Sequence, residues 1–275
     1  MKLVSFLEEG EWRPGVLRDD SVVAIDTPHR TTAEAIAAFM RDGRLAEGRP
    51  RPAASLTLGL PVPNPGKIIC IGLNYREHAR EGGNPIPDYP AIFLRALTSL
   101  IPHGAPLIVP DASDKLDYEA ELAVIIGARA RKVAEGDALS RVFGYSCFND
   151  GSVRDYQRKS SQWTVGKNFD GTGAFGPHVT TADELPPGAT DLGIRTRLNG
   201  AVMQNGNTSD MIFSIARLIA IASEAMTLEP GDIIITGTPS GVGYARKPPV
   251  FLKAGDVCEI EIDGIGTLRN PVARA

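Results

Sequence analysis

DYEAELAVIIG, residues Asp117 to Gly127, decides how the rest of the chain is read. From Leu122 the run Leu122, Ala123, Val124, Ile125, Ile126 is unbroken in apolar residues, the pattern of a strand buried on both faces. Side chains two apart on a strand share a face, so Glu119 and Glu121 point the same way as Ala123 and Ile125, toward the interior. Burying one unpaired carboxylate is expensive, and burying two close together is worse. A hard divalent cation would reconcile them, since the two Cα atoms lie roughly 7 Å apart at the strand rise and their carboxylates can converge on one ion. Asp150, ending the aromatic-rich strand VFGYSCFND, is the third candidate ligand. Three carboxylates without His or Cys favour Mg²⁺ or Mn²⁺, with Ca²⁺ able to substitute, over Zn²⁺. Taken alone, Glu-x-Glu also occurs on solvated sheet edges, where it needs no ion.

The chain around this strand is β-rich. IRTRLNGAVMQ centres on Asn199-Gly200, a hairpin signal; DIIITG follows the turn LEPGD; VCEIEI follows KAGD and turns at Asp263-Gly264 into GTLRNPV. SDMIFSIARLIAIASEAM reads as one long helix, with Ile212, Ile215, Ile219 and Ala222 at helical spacing. At the N-terminus, KLVSFL, EEGEW and GVLRDDSVVAID form a small meander. A helix follows, with a Thr31–Glu34 capping box and an apolar face of Ala35, Ile36, Phe39 and Met40. RPRPAASLTLGLPVPNPG, residues 49–66, reads as a linker. The expected division is a small N-terminal α+β domain with linker over 1–62 and a main domain over 63–275. The main domain is a twisted mixed sheet folded on itself, not a βαβ array.

Composition narrows the function. The 275 residues are 43% hydrophobic, enough for a sizeable core, with a formal net charge of -4. The 29 basic residues form no stripe, which argues against nucleic-acid or anionic-membrane partners. No apolar run reaches the length of a membrane span, and MKLVSFLEEGEW turns acidic too early for a signal peptide. Cys70, Cys147 and Cys258 are far apart with no Cys-x-x-Cys pair, which reads as reduced thiols in a cytoplasmic protein.

Three further stretches carry chemistry. In GLNYREHAREGG, Asn74 can cap a short helix that ends at Gly82-Gly83, placing His78 and Glu81 three apart on one face. A carboxylate beside an imidazole fixes its tautomer and raises its basicity, as a general base requires, although a surface ion pair has the same spacing. The proline-rich NPIPDYP that follows, residues 84–90, suits a lid. In DGSVRDYQRKSSQWTVGKNFD, a helix starting at Asp150 sets Arg154 and Gln157 on one face, with Asp155 and Lys159 as a solvated i,i+4 pair; Lys167 follows in a Gly-flanked loop. Near a metal, Arg, Gln and Lys suit an anionic, oxygen-rich substrate; as surface residues they need no explanation. Finally, ITGTPSGVGYA runs from a strand into a Gly-rich turn whose N–H groups can hold an oxyanion, or which is simply tight. It matches neither a P-loop, a dinucleotide fingerprint nor a G-x-S-x-G elbow.

In order along the chain, NYREHARE, DYEAELAVIIG, FNDGSVRDYQ, GKNFD with FGP soon after, and GTPSGVG resemble the fumarylacetoacetate hydrolase family from about Lys67 to Val272. The resemblance implies a mixed β-sandwich roll, usually dimeric, preceded by the small domain of many bacterial members. It implies Glu119, Glu121 and Asp150 as Mg²⁺ or Mn²⁺ ligands and His78 with Glu81 as the catalytic pair. Lys167 is implied as a charge stabiliser, and Arg154, Gln157, Thr238, Tyr75 and Gly237 as substrate-binding residues. One departure is FLRALTSL, where many relatives carry a Lys-Pro pair near Arg95-Ala96. The expected activity is hydrolysis of acylpyruvate- or fumarylpyruvate-like diketo acids in catabolism of aromatic compounds or sugars. The alternatives are a decarboxylase or isomerase of oxaloacetate- or hydroxymuconate-type 2-oxo diacids, for which Arg76 or Arg95 would supply a second cationic contact. More distant are a non-catalytic metal- or carboxylate-binding module, which has no use for a base, and a thiol enzyme using Cys147, whose apolar strand predicts an inert thiol.

Overall fold

The computed structural model describes residues 1–25 and 31–275, so Asp26, which ends the expected meander, lies outside the described residues. The central strand, Ala120–Ile126, is buried along its whole length. Leu122, Val124 and Ile126 face one apolar core and Ala123 and Ile125 a second, which is why residues 122–126 include no polar side chain. Val142–Asp150 pairs antiparallel on one side of it and Ile233–Ile235 antiparallel on the other. Ile68–Gly72 then adds parallel, and Ala91–Leu94 closes that edge.

In the other direction Gly173–Thr181 pairs with Val142–Asp150, and Lys2–Glu8 pairs with Gly173–Thr181 through Leu3 and Val179. The N-terminal meander, Lys2–Glu8, Glu11–Arg18, Ser21–Ile25 and Glu47–Pro52, thereby continues the same sheet. A second sheet runs Ala201–Asn207, Gly193–Leu198, Val257–Ile262, Gly266–Arg274 and Leu107–Val109. Ile194, Ile260, Ile262 and Leu268 from this sheet share the first core with Leu122 and Val124. The fold is a β-rich α+β sandwich with few helices, as the strand pattern predicts.

The local signals hold where they are self-contained. Thr31 Oγ1 accepts from Glu34 N at 3.2 Å while Thr31 N donates back to the Glu34 carboxylate, the expected capping box, and Ala35 and Ile36 of Thr32–Asp42 are buried. Asn199 and Gly200, at φ 52° and 82°, close the hairpin.

Four expectations are corrected. The residue 49–66 stretch is not linker throughout, because Glu47–Pro52 hydrogen-bonds to Ser21–Ile25. The long helix is only Ile215–Ala225, capped by Ser214, whose side chain accepts from Arg217 N. Ile212 precedes it because its N–H goes to Asn74 O at 2.7 Å and that of Phe213 to Asn74 Oδ1 at 2.8 Å. The helix expected from Asp150 begins at Arg154, since Ser152–Val153 first pairs with Leu116–Asp117. Asp155 accepts from Ser113 Oγ at 2.7 Å, and Lys159 lies 3.2 Å over the Tyr156 ring, so the i,i+4 pair does not form.

All three cysteines are free and buried. Burial pushes the Cys147 thiol up to about 12, which keeps it protonated and unreactive. Among the described residues no helix is long and apolar enough to cross a membrane.

Candidate active site

The site forms where the central strands end. Glu119 immediately precedes Ala120–Ile126, Glu121 is its second residue and Asp150 ends its antiparallel neighbour, so pairing brings the three carboxylates together. All three are more than nine-tenths buried, with one oxygen of each within 4.8 Å of the others. The strand expected to run unbroken from Asp117 is interrupted at Tyr118 and Glu119. Asp117 causes this. Its carboxylate accepts from the N–H groups of Tyr118, Gly243 and Tyr244 and from Arg154 Nε at 2.8 Å, fixing the backbone ahead of the two glutamates.

The surrounding cations are unevenly shared. Lys167 Nζ lies 2.6 Å from Glu119 Oε2 and also bonds Asp150 Oδ2. Arg154 Nη2 lies 2.7 Å from Glu119 Oε1 without the alignment of a hydrogen bond. Arg95, fully inside, bonds Asp150 Oδ1 at 2.5 Å, Ser99 Oγ and Thr172 Oγ1. Burial works against the Lys167 charge, but Asp150 and Glu119 outweigh it and hold its pKa above the ordinary lysine value. Burial likewise raises Glu119, yet Lys167 and Arg154 prevail and bring it below the usual carboxylate range.

Glu121 differs. Its Oε2 accepts from Gly237 N at 2.6 Å, and among the described residues no cationic side chain pairs with it. Burial, followed by Asp150 and Glu119, raises it well above an ordinary carboxyl. A buried, charge-poor carboxylate facing two others is the donor set that fits a hard divalent cation.

On Arg76–Glu81, His78 Nδ1 and Glu81 Oε2 are 3.3 Å apart, and Glu81 Oε1 accepts from Gly241 N at 2.9 Å. Glu81 is thus held from the Gly-rich turn, with one oxygen left for the imidazole. With Nδ1–H donating to Glu81, Nε2 keeps the free lone pair. Asn74 does not cap this helix. It is fully buried, and its amide donates to Phe213 O and Thr236 O, pinning the helix start to two other segments. Gly82 ends the helix with N–H on His78 O.

A cavity of about 260 Å³ joins these groups. His78, Glu119, Glu121, Asp150, Arg154, Gln157, Lys167 and Thr238 all line it. Tyr75 and Gly237 do not. Tyr75 is buried in the first core, while Gly237 contributes its N–H to Glu121 from φ 98°, where only glycine sits without strain. Neither Arg76 nor Arg95, the expected second cationic contacts, lines the cavity. Arg76 donates to Asp210 O and Met211 O, and Arg95 is spent on Asp150. Sequence reasoning missed the cavity residues Trp163, Tyr244 and Arg158, and the positioning residue Asp117. Asp117 stood in the quoted stretch, and as one more carboxylate entering a buried strand it already lacked a partner.

The family model for fumarylacetoacetate (FAA) hydrolase, C-terminal, matches residues 67–273. The chain belongs to the fumarylacetoacetate hydrolase family. Within reach of it, a mitochondrial oxaloacetate tautomerase of Xenopus laevis is 46% identical over 221 residues, covering 80% of this chain and 69% of the relative. A 2,4-didehydro-3-deoxy-L-rhamnonate hydrolase of Sphingomonas is 42% identical over 281 residues, 99% of this chain and 96% of the other. Among solved structures, maleylpyruvate hydrolase from Sphingobium, in complex with manganese(II) and pyruvate, superposes with a TM-score of 0.80 at 33% identity, with 100% of both chains covered. These family members are enzymes of more than one reaction type, so membership establishes the scaffold and leaves the reaction to be argued from the site.

Proposed function

We propose that this chain is a divalent-metal-dependent hydrolase that cleaves a carbon–carbon bond of an acylpyruvate- or fumarylpyruvate-like diketo acid. The observation that carries this reading is that His78, paired with Glu81 behind it, lines the same cavity as the three carboxylates. Glu119, Glu121 and Asp150 would hold Mg²⁺ or Mn²⁺, which when bound supplies Lewis-acid polarisation of the substrate's 2-oxo acid oxygens. Arg154 and Gln157, joined by an Nη1–Oε1 hydrogen bond of 3.0 Å, orient the anionic substrate. His78 Nε2 takes a proton from water as the water oxygen bonds to the distal carbonyl carbon. The bond to the 2-oxo acid half then breaks, its electron pair passing to that half as an enolate. Lys167, kept charged by its carboxylate neighbours, stabilises the enolate oxygen. The imidazolium returns its proton to the enolate carbon, leaving a carboxylic acid and a 2-oxo acid.

The 46% identity to an oxaloacetate tautomerase supports a second reading. The same base and enolate stabilisation serve proton transfer or decarboxylation of a 2-oxo diacid without attack by water. Assays with acetylpyruvate, fumarylpyruvate, oxaloacetate and a 2-hydroxymuconate, with and without EDTA, separate the two. Two acids as products mean hydrolysis, CO₂ means decarboxylation, and a spectral change alone means isomerisation. His78→Ala should lower turnover by about 10²–10⁴-fold while leaving Mn²⁺ affinity within about twofold. Undiminished turnover in that variant removes His78 as the base.

A further inference from the structure

We infer that Arg158 is a specificity-determining residue that receives the distal carboxylate of a 2-oxo dicarboxylate, an inference that rests on the 2-oxo acid reading of this site. Among the described residues, three Arg or Lys side chains line the cavity: Arg154, Lys167 and Arg158. Arg154 faces Asp117 and Glu119, and Lys167 faces Glu119 and Asp150. Both serve acidic groups of the chain itself. Arg158 is the exception, because among the described residues no carboxylate pairs with it.

Arg158 is exposed, and its guanidinium rests against one ring. It lies 4.6 Å from the centroid of the Tyr244 ring, and the guanidinium of Arg154 lies 4.4 Å from the same centroid. Its backbone is fixed one residue beyond Gln157, with N–H on Arg154 O at 3.2 Å. Stacking on an aromatic ring pre-orders the planar fork and leaves its in-plane donors free, the state from which a carboxylate is bound bidentately at low entropic cost.

Position fits the same ligand. The two guanidinium carbons are at most the sum of those distances apart, 9.0 Å. Arg154 touches Glu119, so a substrate with its 2-oxo acid end at the carboxylate cluster reaches Arg158 with a short chain. A five-carbon backbone spans roughly 5 Å at C–C bonds of about 1.5 Å. The cavity, about 260 Å³, holds a ligand of that size. A monocarboxylic substrate of equal length would leave Arg158 unengaged.

The test is calorimetric titration of the Mn²⁺-loaded protein with 2-oxoglutarate and 2-oxopentanoate, which share five carbons and differ in the distal carboxylate. The wild type is expected to bind 2-oxoglutarate at least tenfold more tightly. Arg158→Gln should bring that ratio close to one, and Arg158→Lys, which keeps charge but not the fork, should keep part of it. A wild-type ratio near one, failure of both ligands to bind, or an unchanged ratio in Arg158→Gln overturns the assignment. Turnover of the diketo acids is read separately. Protein that discriminates the pair yet cleaves nothing overturns the hydrolase reading and leaves Arg158; protein that cleaves without discriminating does the reverse.

Discussion

Glu121, inside the strand, and Glu119, just ahead of it, carry opposite shifts, because among the described residues only Glu119 is ion-paired. Glu119 has Lys167 and Arg154; Glu121 has the Gly237 amide and two anionic neighbours. Glu121 therefore costs stability in the protein without metal and contributes affinity when metal arrives. Glu121→Gln keeps the shape and the acceptor for Gly237 while removing the charge. It should leave the metal-free protein at least as stable and weaken Mn²⁺ binding by at least about 100-fold, more than loss of an outer-shell partner would. Thermal melts in EDTA and calorimetric Mn²⁺ titration read both sides. A variant that melts lower without metal and binds Mn²⁺ as tightly as before would show that the charge of Glu121 is already compensated.

Among the elements, the strand Gly173–Thr181 carries another buried titrating group, one that does not line the cavity. His178 is 5% exposed and its Nε2 has no partner among the described residues. Burial, helped by Lys2, lowers its pKa to about 4. Above pH 6.5 the imidazole is neutral in folded and unfolded chains alike. As pH falls below 6.5 the unfolded chain takes up a proton that the folded one refuses until about pH 4, so stability drops across that window by about 3 kcal/mol. Denaturant melts at pH 7 and 4.5 should show His178→Gln losing most of this dependence; an equal slope in both proteins would assign it to other groups. Elements were legible in sequence where their causes are local. The Ala120–Ile126 run, the Asn199-Gly200 hairpin and the Thr31–Glu34 box each contain their own reasons. The start of Ile215–Ala225 was illegible because Asn74, 139 positions from Phe213, takes the N–H groups that would have extended it. Asp117 and Arg158 were missed likewise, their partners being the distant Gly243 and Tyr244. The Glu119–Glu121 and His78–Glu81 spacings could be read because each pair lies within one short stretch.

At the scale of the whole molecule, the candidate metal site joins strands that belong to the shared core of both sheets. Glu119 leads into Ala120–Ile126 and Glu121 lies within it, Asp150 ends Val142–Asp150, and Gly237, which orients Glu121, follows Ile233–Ile235. A cation bound by all three carboxylates bridges adjacent central strands, so it can bind strongly only when they are paired. Such linkage makes metal a stabiliser of the entire fold: at 100 times its dissociation constant it adds about 2.7 kcal/mol. For a chain of this length, with an unfolding entropy of about 2.1 cal/mol/K per residue, that corresponds to roughly 5 °C in melting temperature. Mg²⁺ and Mn²⁺ should each raise the melting temperature of EDTA-treated protein by this order at saturating concentration, and Glu121→Gln should abolish most of the rise. A shift of equal size in that variant would place the stabilising ion elsewhere on the molecule. No shift with either metal would mean that Lys167, already between Glu119 and Asp150, satisfies the cluster without one.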